Sequence, residues 1–494
     1  MRYFFLLPLL FLTCSQNTIE KDDKTQRDIK KIQLFLDNLE KDPFFRNGTV
    51  AFHLQSLKNT AITIQKNGEK SLVPASCLKV ITTAAAYEIL GENYKFETHL
   101  EHSGTINNGV LEGNIYVKGF GDPTLASNLI RNTTSLDENC NKWKTKILGF
   151  GIKKIKGQII FDDSEYPTDI MPAEWIWGDM GNYFGSPACA FNVFDNQYDL
   201  ILRPAERLDG KPTIIKTIPD ISKQIQFVNE LVTAEAGTGD LSTINGHTYD
   251  KYRYLNGSIP LGNTMTIRGA MPDPAFFLAN YFHNYLQGKI TITENPTTTR
   301  LINSSKNQQK RVHLSKFQSN NTLKEIIKYT NFYSSNLFAE AILKRIGAKK
   351  MRKASTNAGT KSLKDFWQSQ GVDTEGMVLK DGSGLARSNL VTATQFTKIL
   401  VVTSKKKYFN EFYQSLPLSK KQGTMVNIGK NIDDKYELRA KTGGMNRVFA
   451  LTGYFKNAKK ETFAFTLIFN NYTCKDDYFK KQLASFLKIM VENS

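Results

Sequence analysis

The chain has 494 residues and a formal net charge of +18, with 40% hydrophobic and 23% charged residues. That length exceeds one ordinary core and calls for two or three domains, while the ordinary apolar content, with no solenoid period and no long low-complexity tract, excludes repeat and disordered classes. The positive balance favours anionic partners, although a plain bias toward lysine and asparagine accounts for it equally well.

Residues 1–14 carry Arg2, an apolar run of about ten residues and then Thr13-Cys14. A membrane span needs about 20 apolar residues, so this start reads as a secretory signal. Cys14 is a candidate lipidation cysteine after cleavage, with Phe11 and Thr13 departing from the usual residues there. An exported protein would meet cell-wall carboxylates or anionic lipid. Nucleic acid is disfavoured, because no nucleic-acid motif is present.

The spacing of Ile29, Ile32, Leu36 and Leu39 predicts an amphipathic helix over 27–39. Strand-like runs follow at 49–57 and 61–65, then a polar turn at 66–69. Pro74-Ala75-Ser76 enters an alanine-rich apolar helix over 80–90, closed by Gly91, with Ser76 in its first turn. More than two hundred residues then separate Lys79 from Ser334, too many for a loop. Their Gly, Thr and β-branched content favours strands. Pro272-Asp273-Pro274 starts a helix over 275–286 that returns the chain toward the main domain. Ser334-Ser335-Asn336 opens a helix over 337–346, ended by Gly347. Strand-like stretches at 436–440, 449–455 and 462–469 and a terminal helix over 476–491 complete the chain. The N- and C-terminal strands are expected to share one antiparallel sheet with helices packed on it.

The chemistry gathers at Ser76-Cys77-Leu78-Lys79. A serine is a weak nucleophile until a base takes its proton, and a lysine three residues on lies one helical turn away on the same face. Free N–H groups at a helix start can stabilise an oxyanion. The lysine acts as base only if burial or nearby positive charge lowers its pKa, and Lys441 of Lys441-Thr442-Gly443 could supply that charge. The Ser-x-x-Lys spacing recurs at Ser404/Lys407 and Ser485/Lys488, whereas Lys-Thr-Gly occurs once. Taken singly, Ser334 reads as a helix N-cap, Asn336 as a surface polar residue and Lys441 as an exposed strand lysine. Asp381-Gly382-Ser383-Gly384 lacks the G-x-S-x-G spacing of a nucleophile elbow and reads as a tight turn. None of the six histidines lies in a recognisable triad motif. Cys77, Cys140, Cys189 and Cys474 show no C-x-x-C spacing and no His-rich partner pattern, so zinc is disfavoured and no cofactor or metal is expected. Cys77 reads as a small packed residue, and a Cys140–Cys189 bridge is open in an oxidising compartment.

The motif series, in order along the chain from about residue 45 to the C-terminus, resembles the class C low-molecular-mass penicillin-binding proteins, the D-alanyl-D-alanine carboxypeptidase/endopeptidases. It comprises Pro74 to Lys79, Gly119-Phe120-Gly121-Asp122-Pro123-Thr124-Leu125, Trp175-Ile176-Trp177 with Tyr183 and Pro187, Pro272-Asp273-Pro274-Ala275, Ser334-Ser335-Asn336, Asp381 to Leu385 and Lys441-Thr442-Gly443. The resemblance implies an α+β fold: a penicillin-binding/β-lactamase-like transpeptidase domain, an antiparallel sheet flanked by helices, carrying two nested, mainly β inserts. The implied peptidase domain spans 27–95 and 306–494, one insert 96–204 with 271–305, and the other 205–270.

The implied reaction is acyl transfer through an ester on Ser76, acting on peptidoglycan stem peptides and blocked by β-lactam antibiotics. Lys79 would be the base, and Ser334 would relay a proton to the leaving amine. Asn336 would hold the substrate amide, and Lys441 and Thr442 the carboxylate. Ser76 and Gly444 would offer oxyanion N–H groups. Gly443 and Gly444 would let substrate lie along an edge strand. Asp162 and Tyr166 fall where relatives line the distal substrate groove, and Arg387, just after the Asp381 turn, could reach a stem-peptide carboxylate but reads equally as a solvated arginine. The same plan serves a β-lactamase, or an inactive cell-wall-binding protein of this fold; the large insertion and the intact motif series disfavour both. The implied location is periplasmic or otherwise extracytoplasmic.

Overall fold

The computed structural model describes residues 12–60, 62–302 and 310–494, and side chains from residue 27. The expected signal segment up to residue 11, the side chain of Cys14, position 61 of an expected strand and the expected domain boundary at 305/306 lie outside the described residues. Among the described residues no helix is long and apolar enough to cross a membrane. The chain divides into two compact units. One comprises the chain to Pro74, Val391–Phe409 and Leu416–Ser494; the other comprises Ala75–Leu390 and Asn410–Ser415.

The first unit is built on a five-stranded antiparallel sheet, in the order Thr63–Lys66, Thr49–Ser56, Thr462–Asn470, Val448–Lys456, Glu437–Met445. The expected union of N- and C-terminal strands is there: Thr49 pairs with Asn470 and Ser56 with Phe463. The three inner strands are buried almost throughout, because helices cover both faces. On one face the helix Leu12–Lys41, longer than expected, brings Ile32, Leu36 and Leu39. The helix Asp476–Glu492 adds Leu483, Phe486 and Leu487 to the same core. Phe486 meets Phe52 edge-on at 5.1 Å, and each such buried side chain contributes about 1.5–3 kcal/mol. The helix Ala393–Thr403 packs on the sheet through Thr397, bonded to the His53 carbonyl at 3.2 Å, and Leu400, whose carbonyl accepts from the Tyr454 hydroxyl at 2.8 Å.

His53 in this sheet is a pH liability. Burial pushes its imidazole from the ordinary 6.5 down to about 4, with Glu69 opposing and Lys398 adding to the shift. Between those values the unfolded chain binds a proton that the folded one refuses. The stability present above pH 6.5 should therefore decline as pH falls toward 4, by ~3 kcal/mol from this residue. Urea midpoints measured from pH 7 to 4 should fall less steeply in His53→Gln than in the parent; equal slopes would remove His53 as the cause.

The second unit begins with the serine helix Leu78–Ile89, packed with Leu323–Tyr333, Asn336–Met351 and Thr356–Ser369. Trp367 fixes one contact by donating Nε1–H to the Ile81 carbonyl at 3.2 Å. The insertion is strand-rich, as its composition suggested. A five-stranded sheet runs Thr297–Thr298, Ile159–Asp162, Ile115–Gly119, Glu97–Ser103, Arg311–Gln318. The helices Leu136–Gly149 and Pro274–Leu286 join its core through Trp143 and Phe282, whose rings meet at 5.2 Å. Asp273 caps the latter helix by accepting from the Phe276 N–H at 3.1 Å, with Pro274 at the first turn, as the Pro-Asp-Pro motif predicts. Further on, Gln197–Arg203 pairs with both Thr213–Ile218 and Met265–Ala270, so the expected boundary at 204/205 falls between strands of one sheet.

Candidate active site

Ser76 lies in a single 3-10 turn, Ala75–Cys77, that runs directly into the helix Leu78–Ile89. The turn is tight: Ala75 takes a left-handed φ of 45°, a conformation that costs a non-glycine residue about 1–2 kcal/mol. It is held in place by Gly384, at φ +82°, where an added Cβ would stand 1.9 Å from the Ala75 carbonyl oxygen. Cys77 is buried and packs as a small side chain should.

One turn on, Lys79 is completely buried. Its Nζ donates to the Ser76 Oγ at 2.9 Å, the Asn336 Oδ1 at 2.6 Å and the Ser383 carbonyl at 2.7 Å. These three polar partners hold the amine pointed at the serine, and the Nζ–Oγ contact is the path along which a proton can pass between them. The other end of the Asn336 amide donates Nδ2–H to the Phe184 carbonyl at 2.8 Å, which settles which way the amide faces.

Asn336 begins the helix Asn336–Met351. The two serines before it divide the work differently from the expectation. Ser335, not Ser334, is the N-cap, accepting from the Phe338 N–H at 3.3 Å. Ser334 instead ends the preceding helix, Leu323–Tyr333, in the left-handed region at φ 58°. The helix also continues through Gly347, because a single glycine costs only about 1 kcal/mol in an interior where packing dominates.

The Asp381–Gly384 turn, expected from its glycines, cradles Lys79 through the Ser383 carbonyl. The Asp381 carboxylate accepts from the Gly384 N–H at 2.8 Å, the Ala386 N–H at 2.7 Å, the Asn389 Nδ2 at 2.9 Å and the Trp175 Nε1 at 2.9 Å. Glu340, on the Asn336 helix, accepts from the Gly382 and Ser383 N–H groups at 2.9 and 2.8 Å. It thus aims the Ser383 carbonyl at Lys79. Burial, followed by the charge of Asp381, raises the Glu340 pKa. One turn further, burial lowers that of Lys344, whose Nζ donates to the Ile170 and Ala188 carbonyls, both at 2.7 Å. The sequence reading missed Glu340 and Lys344. A Glu and a Lys four residues apart inside an otherwise apolar run were the available signal.

Lys441 belongs to Glu437–Met445, an edge strand of the first unit's sheet. Lys441, which taken singly reads as an exposed strand lysine, is completely buried, and its Nζ donates to the Thr442 carbonyl at 2.7 Å. The Thr442 hydroxyl donates to that of Thr424 at 2.8 Å. Gly443 pairs with Ala450 in the ladder, and a Cβ at Gly444 would meet open space.

The remaining candidates scatter. Arg387 is exposed. Asp162 is buried in an ion pair with Arg311 and accepts from the Ser164 N–H and the Thr299 hydroxyl. Tyr166 is buried against Gly121, donates its hydroxyl to the Phe120 carbonyl at 3.3 Å, and lines a cavity of about 270 Å³ that also touches Tyr249 and Arg300. The bridge left open between Cys140 and Cys189 is not formed: both are free and buried, and burial pushes both thiols up to about 12.

A family model for the D-Ala-D-Ala carboxypeptidase 3 (S13) family matches residues 33–489. The chain belongs to that family. This S13 chain is similar to the D-alanyl-D-alanine carboxypeptidase DacB of Haemophilus influenzae, 26% identical over 439 residues and covering 86% of each chain. It is also similar to the D-alanyl-D-alanine carboxypeptidase of an Actinomadura species, 24% identical over 480 residues, 94% of this chain and 86% of the relative. Its fold is that of penicillin binding protein 4 from Haemophilus influenzae, with a TM-score of 0.77 at 23% identity over 92% of this chain and 99% of the other. The S13 chain is thus a serine-type D-Ala-D-Ala carboxypeptidase, a hydrolase.

Proposed function

We propose that the protein trims peptidoglycan stem peptides outside the cytoplasm, with Ser76 as nucleophile and Lys79 as its base. The Lys79 Nζ, 2.9 Å from the Ser76 Oγ in a buried cradle, carries this reading. Lys79 takes the hydroxyl proton as Ser76 Oγ bonds to the carbonyl carbon before the terminal D-alanine. Backbone N–H groups of Ser76 and Gly444 hold the oxyanion, worth about 3–4 kcal/mol per donor. The C–N bond breaks, Ser334 relays a proton to the leaving amine, and the acyl group remains on Ser76. Water then adds to the ester and releases the shortened peptide. In this reading Asn336 holds the substrate amide, Lys441 and Thr442 the leaving carboxylate, and Gly443 and Gly444 leave room along the edge strand. Arg387 reaches a stem-peptide carboxylate, and Asp162 and Tyr166 belong to the wall of the distal substrate groove.

We extend the substrate to cross-links between stem peptides, because the same attack cleaves a D-alanyl bond whether the leaving amine is free D-alanine or a neighbouring chain. β-Lactam antibiotics would acylate Ser76; penicillin binding protein 4 of Haemophilus influenzae has been solved with a β-lactam bound. Export rests on the basic and apolar residues 1–14, and anchoring on Cys14, which palmitate labelling would test.

Mass spectrometry of muropeptides before and after digestion tests the reading. Pentapeptides should lose one alanine, and cross-linked dimers should fall to monomers. Unchanged pentapeptides and dimers would overturn it in favour of a cell-wall-binding protein, and rapid turnover of a chromogenic cephalosporin would favour a β-lactamase.

A further inference from the structure

A cluster of unlike metal-binding groups lies in the insertion, apart from the residues around Ser76. His99 and Glu101 are two apart on the strand Glu97–Ser103 and so project to the same face. His313, on the neighbouring strand Arg311–Gln318, stands opposite Glu101 in the ladder, next to an irregularity between His313 and Ser315. One ligand atom from each of the three residues lies within 4.8 Å of the others. The two imidazoles stand nearly perpendicular, with centroids 5.4 Å apart.

The surroundings are built in a second layer. The Glu97 Oε2 stands 3.1 Å from the His99 Nε2, while its Oε1 pairs with Lys316 at 2.6 Å. A carboxylate accepting one ring N–H fixes the tautomer and leaves the other nitrogen with its lone pair, the usual support of a ligating histidine. Phe120 holds the His99 ring at 4.6 Å. The competing cation is Arg311. Its guanidinium lies over Tyr116 and is bonded to Asp162, reaching the Glu101 Oε2 only at 3.5 Å. A carboxylate offers about four lone-pair sites, so Glu101 retains capacity for an ion.

We propose that His99, Glu101 and His313 bind one divalent transition-metal ion of the zinc type, with water completing the coordination. Two imidazole nitrogens favour such an ion over calcium or magnesium, which seek all-oxygen shells. The ion ties the first strand of the insertion to the strand that returns from it, closing some two hundred residues of chain. Because the ligands converge only in the folded protein, binding stabilises the fold. The sequence signal was weak: the third ligand is remote from the first two, and no Cys or His spacing announces it.

The test uses the untagged full chain, so that no other histidine cluster competes. Titration with Co²⁺ should give saturable visible absorption at one equivalent, displaced by Zn²⁺, and Zn²⁺ should raise the melting temperature. His313→Ala, at an exposed position, should keep the circular dichroism of the parent but lose the absorption and the zinc-dependent shift, as should His99→Ala. Glu97→Gln should weaken binding by about 10–100-fold. Absence of saturable Co²⁺ absorption, or binding of parental strength in both folded histidine variants, would overturn the proposal.

Discussion

Ser76→Ala is expected to abolish covalent labelling by a fluorescent penicillin and to lower D-alanine release by at least about 10⁴-fold, as loss of a catalytic nucleophile does elsewhere. Lys79→Ala should slow acylation by about 10²–10⁴-fold, the usual contribution of a positioned base. Lys79→Arg should not rescue it. A guanidinium can reach the same acceptors, but it cannot be deprotonated and so cannot receive the serine proton. Undiminished labelling of Ser76→Ala would place the nucleophile elsewhere. A fully active Lys79→Arg would show that the residue only positions Ser76. Labelling time courses and D-alanine assays on the same preparations distinguish these outcomes.

Glu340→Ala is expected to be the most damaging substitution outside the reacting groups. It strips the buried Gly382 and Ser383 N–H groups of their acceptor and leaves buried Lys344 beside a lost charge. Such a loss costs about 3–5 kcal/mol. The Ser383 carbonyl is then free to drift from Lys79, and a misplacement of about 1 Å can slow chemistry by up to about 10²-fold. Glu340→Gln keeps one oxygen for both N–H groups, so it should retain most of the acylation rate. Denaturant unfolding and acylation kinetics check the two effects separately. Equal loss of rate in both variants would mean that the charge matters, not the geometry, and would overturn the positioning role.

Much of this architecture was legible in the sequence, for identifiable reasons. The strand Thr462–Asn470 announces itself as a nearly unbroken apolar run because helices cover both faces, and Thr49–Ser56 through its apolar Val50-Ala51-Phe52 and Leu54. Ser76 and Lys79 were readable because helical spacing alone brings them to one side. What failed was of two kinds. Capping failed by one residue: adjacent serines have equal capping chemistry, and only the left-handed backbone at Ser334 decides that Ser335 does it. The cradle of Lys79 was hidden because its key acceptor is a main-chain carbonyl, at Ser383, which any residue possesses. Likewise Lys441 looked exposed because a single strand does not reveal what covers it.

The close approach of Gly384 to the Ala75 carbonyl has an evolutionary corollary. Drug resistance commonly calls for reshaping the neighbourhood of an acylated serine without losing its reactivity. At codon 384 that avenue is shut, since every replacement both forces an L side chain into a left-handed backbone and drives it into the Ala75 carbonyl oxygen. Escape variants under antibiotic selection should therefore be missing at this position and accumulate instead at exposed neighbours such as Arg387.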